Sequence, residues 1–315
     1  MIDVHQHLWP AEFIEALRRR AKPPRLDGWT LHLNGEPAQR IDPADHDPAR
    51  RLAIETGTAD TGTAETGPAG RGAGTAARGA DVIVIGPSSP LGLEWLPPEE
   101  AEPLIDAWHA GALALGEPYR VWAATNVREP DPATVTAALD AGCAGLQLPA
   151  DALAAPADLE RLAPLLQACD AAGRPVMIHP GPARDAADRP GWWAAVVDYV
   201  AQLQAAWWSW HVAGRDVAPD LRVCFVAGAG LAPVHHERYA ARGGGRLTVD
   251  PGVFADTSSY GRQGIDALTR VLGIDVIVNG TDRPYAEPAE LCLGDAATHA
   301  IRRSNPRRLL EGGQP

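Results

Sequence analysis

The chain has 315 residues, of which 45% are hydrophobic, and a formal net charge of −12 from 28 Lys and Arg against 40 Asp and Glu. This composition can form a sizeable core, and parallel α/β barrels commonly reach such a length as one unit. The net negative charge argues against nucleic acid or an anionic membrane surface as a partner. We therefore expect a globular protein with a small-molecule ligand.

The spacing of the cysteines indicates free thiols rather than a disulfide framework. Cys143, Cys169, Cys224 and Cys292 are scattered without a CxxC pair, and three of them lie in apolar stretches. This pattern is typical of a cytoplasmic protein without disulfides or a zinc knuckle. No basic region precedes the first strand-like run, so no signal peptide is predicted, and no apolar run has the length of a membrane span.

Eight strand-like runs alternate with helical segments along the chain. The predicted strands are short and mostly rich in Val, Ile or Leu, as expected for parallel strands that are covered on both faces. In chain order they are Ile2–His5, Asp81–Ile85, Arg120–Ala124, Ala144–Leu148, Pro175–His179, Arg222–Val226, Val253–Asp256 and Asp275–Val278. Helical spacing occurs between most of them, as in Asp131–Ala141, Ala157–Ala172 and Ile265–Leu272. This alternation predicts an α/β fold, a (β/α)8 TIM barrel that forms a single domain over residues 1–315.

Two segments depart from this alternation. Leu8–Pro48 is rich in Pro and polar residues and is predicted to be a long loop after the first strand. Such a loop lies over the C-terminal mouth of a TIM barrel, where substrates bind. Glu55–Ala80 consists mostly of Gly, Ala, Thr and Glu. Because it has little to bury, we expect a flexible low-complexity insertion before the second strand, without a role in chemistry.

Histidine and aspartate side chains stand at the ends of three predicted strands. His5 and His7 occupy positions i and i+2 of an extended run and therefore point to the same side. His179 ends the fifth strand, and Asp282 follows the eighth. These strand ends meet at one rim of a TIM barrel, so three imidazoles and one carboxylate can converge. Such a set suits Zn²⁺, Mn²⁺ or Fe²⁺, and we predict a metal site at these four residues.

A tryptophan-rich helix is predicted over Gly191–Gly214. Its apolar residues cover more of its circumference than a surface helix packed on one side requires. Either a second subunit buries the additional face, which predicts a homodimer, or a long loop of the same chain covers it.

Several motifs resemble the amidohydrolase superfamily. DVHQH at the start, VMIHP in the middle and NGTDRP near the end are similar to its amidohydrolase-2 branch, which contains aminocarboxymuconate semialdehyde decarboxylase and γ-resorcylate decarboxylase. GLQLP, Asp256-Thr257-Ser258 and the closing NPRRLL extend the resemblance over nearly the whole chain. The resemblance implies that His5, His7, His179 and Asp282 bind one divalent metal ion, zinc or alternatively manganese. It also implies that His179 and Asp282 take part in catalysis.

Two positions distinguish the chain within this resemblance. Gln147 stands in the fourth strand and no lysine ends that strand, so a two-metal site bridged by a carboxylated lysine is not expected. After the sixth strand the family normally carries a histidine that activates water or substrate, whereas this chain has Ala227 in the stretch AGAGLAP. Alanine cannot transfer a proton. Either the reaction proceeds without that group, or His235 or His236 replaces it, or the activity has been lost.

The surviving groups permit two reactions. A divalent ion activates water and polarises a carbonyl, and Asp282 can serve as the acid and base, so hydrolysis of a small carbonyl-containing acid, amide or lactone needs no further group. Non-oxidative decarboxylation of a small aromatic or unsaturated carboxylic acid delivers a proton to carbon, and loss of one acid–base group typically costs ~10²–10⁴-fold. We therefore expect a metal-dependent hydrolase. A metal-dependent carboxy-lyase is the alternative, and a metal-binding barrel without turnover is a further alternative because of Ala227.

Polar side chains near other strand ends are predicted to contact the substrate. Ser88 follows the second strand, Gln147 lies in the fourth, and Tyr260 follows the seventh. Arg51, at the end of the first long loop, and Arg283, beside the predicted aspartate ligand, can pair with a substrate carboxylate.

Overall fold

The computed structural model describes residues 1–57, 79–184, 188–288 and 290–313. In this part of the chain the strands are β1 (Ile2–Gln6), β2 (Arg25–Asp27), β3 (Thr30–His32), β4 (Gln39–Arg40), β5 (Val82–Ile85), β6 (Tyr119–Ala123), β7 (Gly145–Pro149), β8 (Val176–His179), β9 (Val223–Phe225), β10 (Val253–Asp256) and β11 (Ile277–Val278). Strands β2–β4 form a small antiparallel sheet, and the other eight form one parallel sheet.

The parallel sheet closes into a barrel. Its strand order is β1-β5-β6-β7-β8-β9-β10-β11, so each strand lies beside its successor among the barrel strands. The last strand returns to the first, because the Val4 amide donates to the Asn279 carbonyl at 3.0 Å and the Asp282 amide donates to the His5 carbonyl at 2.8 Å. The predicted (β/α)8 TIM barrel is confirmed, and all eight predicted strands are present close to their expected bounds.

Helices surround the barrel. They are α1 (Ala11–Arg18), α2 (Pro48–Thr56), α3 (Pro98–Ala114), α4 (Pro132–Asp140), α5 (Pro156–Ala171), α6 (Tyr199–Val217), α7 (His236–Tyr239), α8 (Arg262–Leu272), α9 (Asp295–His299) and α10 (Asn305–Glu311). Proline occupies the first helical position of α2, α3, α4 and α5, where its missing N–H has no intrahelical partner to lose. Asp47 and Asp131 cap α2 and α4 by accepting from backbone amides of the first turn.

The segment Leu8–Pro48 is not the plain loop predicted from its composition. Helix α1 buries Phe13, Ile14 and Leu17, and the ring of Phe13 packs edge-on against Trp108 of α3 at 5.7 Å. The antiparallel sheet β2–β4 follows. Its strands are only two or three residues long, so their pattern is too short to be distinguished from a loop by periodicity.

The predicted low-complexity insertion, Glu55–Ala80, falls mainly outside the described residues, which omit 58–78. Its described ends have structural roles. Glu55 and Thr56 complete helix α2, the Glu55 side chain is buried, and the Ala80 amide donates to the Glu55 carbonyl at 3.0 Å. The predicted start of the insertion, at Glu55, was therefore too early in the chain.

The tryptophan-rich helix is buried along one half only. Trp207 and Trp210 of α6 are buried within their own chain, and Trp207 packs against Phe225 of β9 at 5.1 Å. Trp192 and Val196, in the segment that leads into α6, are 57% and 59% exposed. The homodimer stays a prediction, which light scattering of the full chain can test.

No described helix combines the length and the hydropathy that crossing a bilayer would require. The four cysteines are free thiols, and only Cys292 among them is exposed.

Candidate metal centre

Three imidazole rings converge at the C-terminal mouth of the barrel. The His7 Nε2 atom lies 3.2 Å from His5 Nε2 and 3.2 Å from His179 Nε2. Asp282 Oδ1 lies 3.2 Å from His7 Nε2 and 3.5 Å from His5 Nε2. All four ligand atoms fall within 4.8 Å of one another. This spacing is close to the ~3.3 Å between neighbouring ligands of a tetrahedral ion with bonds of about 2.0–2.1 Å.

The barrel backbone explains this convergence. His5 lies in β1, and His7 follows the same strand, so the two rings project to one side. His179 is the last residue of β8, and Asp282 follows β11, which lies beside β1 in the closed barrel. Residues far apart in the chain therefore meet at one rim, as the sequence predicted.

Each histidine is oriented through its other ring nitrogen. His7 Nδ1 donates to the Gly86 carbonyl at 2.9 Å, and His179 Nδ1 donates to the Pro180 carbonyl at 2.9 Å. His5 Nδ1 donates to Asp256 Oδ2 at 2.7 Å. A carbonyl oxygen only accepts, so these bonds place the proton on Nδ1 and leave the Nε2 lone pair bare in each neutral ring.

The unprotonated nitrogens provide a test of whether a cation fits. Three Nε2 atoms, which carry no proton in the neutral rings, and a carboxylate oxygen meet at hydrogen-bond distance. Such a cluster is repulsive by itself and attractive around a positive ion. The three rings are also almost fully buried, with 0–6% of their surface exposed. The residues present therefore fit a divalent metal ion.

The electrostatics of the cluster agree with this arrangement. Burial lowers the pKa of His7, and burial together with the neighbouring imidazoles lowers the pKa of His179 well below its usual value. Burial also opposes charge on His5, but Asp256 and Asp282 outweigh it and raise the His5 pKa. Burial raises the pKa of Asp282, but the three histidines lower it by more than burial raises it. The pKa of Asp282 is therefore below its usual value, and this side chain favours the carboxylate form.

Asp256 is the functional residue to which the sequence analysis assigned no role. It is fully buried at the end of β10 and accepts from His5 Nδ1 on one oxygen and from the Ser258 hydroxyl, at 2.7 Å, on the other. Such a partner fixes the tautomer and direction of a ligating histidine. A buried carboxylate at the end of a barrel strand was the available signal, since metal-ligating imidazoles usually have such a partner.

The four converging side chains border a cavity of about 910 Å³. Leu31 and Leu33, from the segment predicted to cover the mouth, form part of its wall, as do Tyr199 and Val200 of α6. Tyr285 also lines it, and its ring lies 5.4 Å from that of His7. Neither Tyr285 nor Glu36, another lining residue, was singled out from the sequence.

The predicted substrate-contacting residues fall into two groups. Ser88 and Tyr260 line the cavity. Gln147 is fully buried away from it and donates to the Pro87 carbonyl and the Ser89 hydroxyl. Arg51 and Arg283 do not line it either. The structure therefore brings two of the five predicted contacts to the cavity.

The two arginines are engaged beneath the site. Arg51 is 3% exposed and donates to the carbonyls of His7 and Asp45, both at 3.2 Å. Arg283 donates to Glu55 Oε1 at 2.7 Å. The Arg51 bonds brace the backbone of His7 and Asp45, and the Arg283 guanidinium is paired with a carboxylate outside the cavity.

A left-handed turn occupies the position of Ala227, where the sequence resemblance led us to look for a histidine. The φ angles of Ala227, Gly228, Ala229, Gly230 and Leu231 run from 45° to 59°, a region that L-residues seldom adopt in succession. A Cβ on Gly230 would lie 2.8 Å from the Val200 carbonyl oxygen, so the turn packs directly on the helix.

The two histidines that follow this turn differ in placement. His235 lines the cavity, whereas the ring of His236 packs between Trp207 and Trp208 at 6.0 and 5.7 Å. Of the two residues predicted as replacements for the histidine, only His235 faces the side where the chemistry would occur.

No protein-family model matches the chain, and no curated protein matches it. Solved structures do. IDCase of Metarhizium anisopliae in apo form matches with a TM-score of 0.73 and 17% identity, over 99% of this chain and 97% of that one. A 2,6-dihydroxybenzoate decarboxylase from Rhizobium matches with a TM-score of 0.60 and 16% identity, over 99% of both chains.

A third solved structure contains a metal. The 5-carboxyvanillate decarboxylase of Novosphingobium aromaticivorans, solved with manganese and 4-hydroxy-3-methoxy-5-nitrobenzoic acid, has a TM-score of 0.59 and 16% identity over 74% of this chain and 77% of that one. At these identities the likeness establishes the fold alone. The resemblance to the barrels of the amidohydrolase-2 branch is confirmed at that level.

Proposed function

We propose that the protein is a metal-dependent non-oxidative decarboxylase of a small aromatic or unsaturated carboxylic acid. The observation that carries the proposal is the buried cluster of three imidazole Nε2 atoms and the Asp282 carboxylate, which converge at the base of an apolar cavity. Support also comes from the barrels of the same fold, two of which are described as decarboxylases. The hydrolase that the sequence analysis favoured becomes the second candidate.

In this proposal His5, His7, His179 and Asp282 hold one divalent ion. Bound there, the ion would fix and polarise the reacting carboxylate or carbonyl group of the substrate. We propose zinc, because imidazole nitrogens dominate the ligand set, and keep manganese as the alternative, since a barrel of the same fold carries it. Elemental analysis distinguishes the two.

Asp282 is the proposed proton-transfer group. Its Oδ1 atom faces the histidines, while its Oδ2 atom lies 3.4 Å from the Ser259 hydroxyl. Asp282 takes a proton from solvent and delivers it to the substrate carbon that bears the carboxylate. The bond from that carbon to the carboxylate then breaks, its electron pair stays with the carbon, and CO₂ leaves.

Hydrolysis remains the second candidate because of one observation. Among the described residues that line the cavity there is no Lys or Arg to pair with a substrate carboxylate. An amide, ester or lactone would need no such partner. In that reaction Asp282 would act as a base toward water and then return the proton to the leaving group. Ser88 and Tyr260 are proposed substrate contacts in either reaction.

Turnover assays with metal-loaded protein separate the candidates. Aromatic and unsaturated monocarboxylic acids are assayed for CO₂ release, and amides, esters and lactones for hydrolysis, with Asp282→Asn as the control. CO₂ release that depends on Asp282 supports the decarboxylase. Hydrolysis without CO₂ release contradicts it in favour of the second candidate. Neither reaction, with one metal ion bound per chain, supports the barrel without turnover that Ala227 permits.

A further inference from the structure

The cavity beyond the four ligands has mainly apolar walls. The side chains that form them come from the small sheet, the loop after β5, helix α6 and the left-handed turn, and include Leu31, Leu33, Leu91, Val200, Leu203 and Leu231. The volume of about 910 Å³ lies near the upper end of the range for small-molecule sites, roughly 300–1,000 Å³. A single ring held at the ligands would leave much of this apolar space empty.

No Lys or Arg is among the described residues that form this wall. Enzymes that hold a distal carboxylate usually present an arginine or lysine to it. The two arginines predicted to contact the substrate do not line the cavity, because Arg283 is paired with Glu55 at 2.7 Å and Arg51 donates to backbone carbonyls. The cavity therefore offers no paired site for a second acidic group.

A carboxylate lines the cavity instead. Glu36 lies in the loop between β3 and β4, is half-buried, and accepts from the Tyr199 hydroxyl at 2.7 Å through Oε1. Gln39 donates to its Oε2 at 3.5 Å. Burial raises the pKa of Glu36, so its charge is already unfavourable there, and a second anion nearby would raise the cost further.

The backbone holds Glu36 in this place. The preceding residue, Gly35, has a φ of 82°, and a Cβ there would lie 2.5 Å from the Ala183 carbonyl oxygen. The loop that carries Glu36 is therefore packed directly on the loop after β8. With Tyr199 on the other side, the carboxylate has contacts on two elements and cannot simply turn away from the cavity.

We infer that the protein takes a substrate whose non-reacting part is bulky, apolar and uncharged, and that Glu36 is a specificity-determining residue that rejects a second carboxylate. The inference rests on the proposed function only in placing the reacting group at the four ligands. If the protein is a decarboxylase, the inferred substrate is a monocarboxylic acid. If it is a hydrolase, the inferred substrate is an uncharged acyl compound.

Calorimetric titration with benzoate, biphenyl-4-carboxylate and biphenyl-4,4′-dicarboxylate tests the inference without turnover. The probes are titrated into zinc-loaded and metal-free protein. We expect biphenyl-4-carboxylate to bind at least tenfold more tightly than benzoate, and at least tenfold more tightly than the dicarboxylate. Equal or tighter binding of the dicarboxylate, or of benzoate, overturns the inference.

Two variants then test Glu36 itself. Glu36→Gln is expected to reduce the ratio of the dicarboxylate to the monocarboxylate dissociation constant, here called the gap, at least threefold. The reason is that it removes the repulsion between Glu36 and the second carboxylate of the probe. Glu160→Gln, which makes the same charge change on an exposed position of α5, should leave the gap unchanged. A gap that is the same in Glu36→Gln as in the natural chain overturns the role of Glu36.

The outcomes are distinct from those of the proposed function. Protein that retains zinc but binds none of the three probes overturns the inference, whereas the assay for CO₂ release still decides the reaction. Protein that retains no metal overturns the proposed function. In that case the ranking of the probes on metal-free protein still decides whether the cavity rejects a second carboxylate, since Glu36 is not among the four ligands.

Discussion

The two sides of the cavity are built differently. On the side of β1, β8 and β11, every polar group of the ligand cluster has a fixed partner: His5 bonds to Asp256, and His7 and His179 bond to backbone carbonyls. On the side of β9 and α6, the wall is formed mainly by Ala227, glycine and aliphatic side chains, together with Tyr199 and His235. One side is arranged for a cation and the other for an apolar group.

This difference indicates which side of the cavity carries the groups proposed to react. A buried histidine cluster with anchored rings is costly to maintain unless an ion occupies it, so its presence argues for a metal. The opposite wall provides shape rather than proton transfer, and His235 is its one imidazole among the described residues. Proton transfer in the proposed reaction therefore depends on Asp282.

The largest expected effect is loss of the metal on changing a ligand on the polar side. His179→Ala removes one of the three converging nitrogens. We expect its metal affinity to fall by more than about 100-fold, since loss of an outer partner alone typically costs 10–100-fold. His211→Ala is the control, because His211 packs on Trp207 outside the cavity. Competition titration with a chromogenic chelator measures both, and similar affinities would contradict the four-ligand site.

A second large effect is expected at Asp282. Asp282→Asn keeps a carbonyl oxygen near the histidines but removes the proton-transfer group, so turnover at saturating metal should fall ~10²–10⁴-fold. Asp266→Asn, at an exposed position paired with Arg270 on α8, is the matched control. Turnover of Asp282→Asn within tenfold of the natural chain would show that another group transfers the proton, with His235 the first to test.

Substitutions on the apolar side of the cavity should change the free energy of unfolding rather than the metal affinity. Gly230→Ala places a Cβ in the left-handed region and 2.8 Å from the Val200 carbonyl oxygen. We expect about 2–4 kcal/mol of destabilisation, from backbone strain and overpacking together. Gly243→Ala has a φ of 88° but open space around the new Cβ, so it isolates the strain and should cost about 1 kcal/mol. Denaturant unfolding compares the two, and equal losses would contradict the packing of the turn on α6.

A smaller loss of metal affinity is expected from the partner of His5. Asp256→Asn can still hydrogen-bond to the ring but no longer balances its charge, so metal affinity should fall about 10–100-fold. Measurement by the same chelator competition places this variant between the natural chain and His179→Ala. An unchanged affinity would mean that Asp256 supports the fold and not the ligand.

Much of this account could be predicted from the sequence, because strand ends in a parallel barrel share one rim. The spacing of His5 and His7 and the strands before His179 and Asp282 were sufficient to predict that these four side chains converge. The roles of Arg51 and Arg283 could not be predicted, since a charged residue near a strand end can face the substrate or brace the backbone. Glu55, the partner of Arg283, fell within a segment predicted to be featureless, which concealed this pairing.

The reaction was also harder to predict than the site. Ala227 indicated a missing histidine, but only the structure shows a left-handed turn there and an apolar wall around it. Short elements such as β2–β4 were missed because two or three residues carry no periodicity. Those elements bring Glu36 and Leu31 to the cavity, so the residues proposed to select the substrate could not be singled out beforehand.

The smallest expected effect is on the pH dependence of stability and arises from the buried side chain of Glu94. Burial raises the pKa of Glu94 to about 7, although Ser89 donates to it at 2.5 Å. The folded chain therefore holds this proton to higher pH than the unfolded chain does, and stability falls as the pH rises from about 4.5 to about 7. Glu94→Gln should show little gain at pH 5 and a gain of about 1–3 kcal/mol at pH 8. Thermal unfolding at both pH values measures it, and an equal effect at the two would contradict the assignment.

The central claim is that the four converging side chains hold one divalent metal ion. Elemental analysis of protein purified without chelator, at a known protein concentration, tests it most directly. The account predicts about one zinc or manganese per chain, lost in His179→Ala and kept in His211→Ala. Protein that contains no metal and retains none after incubation with zinc or manganese would contradict it.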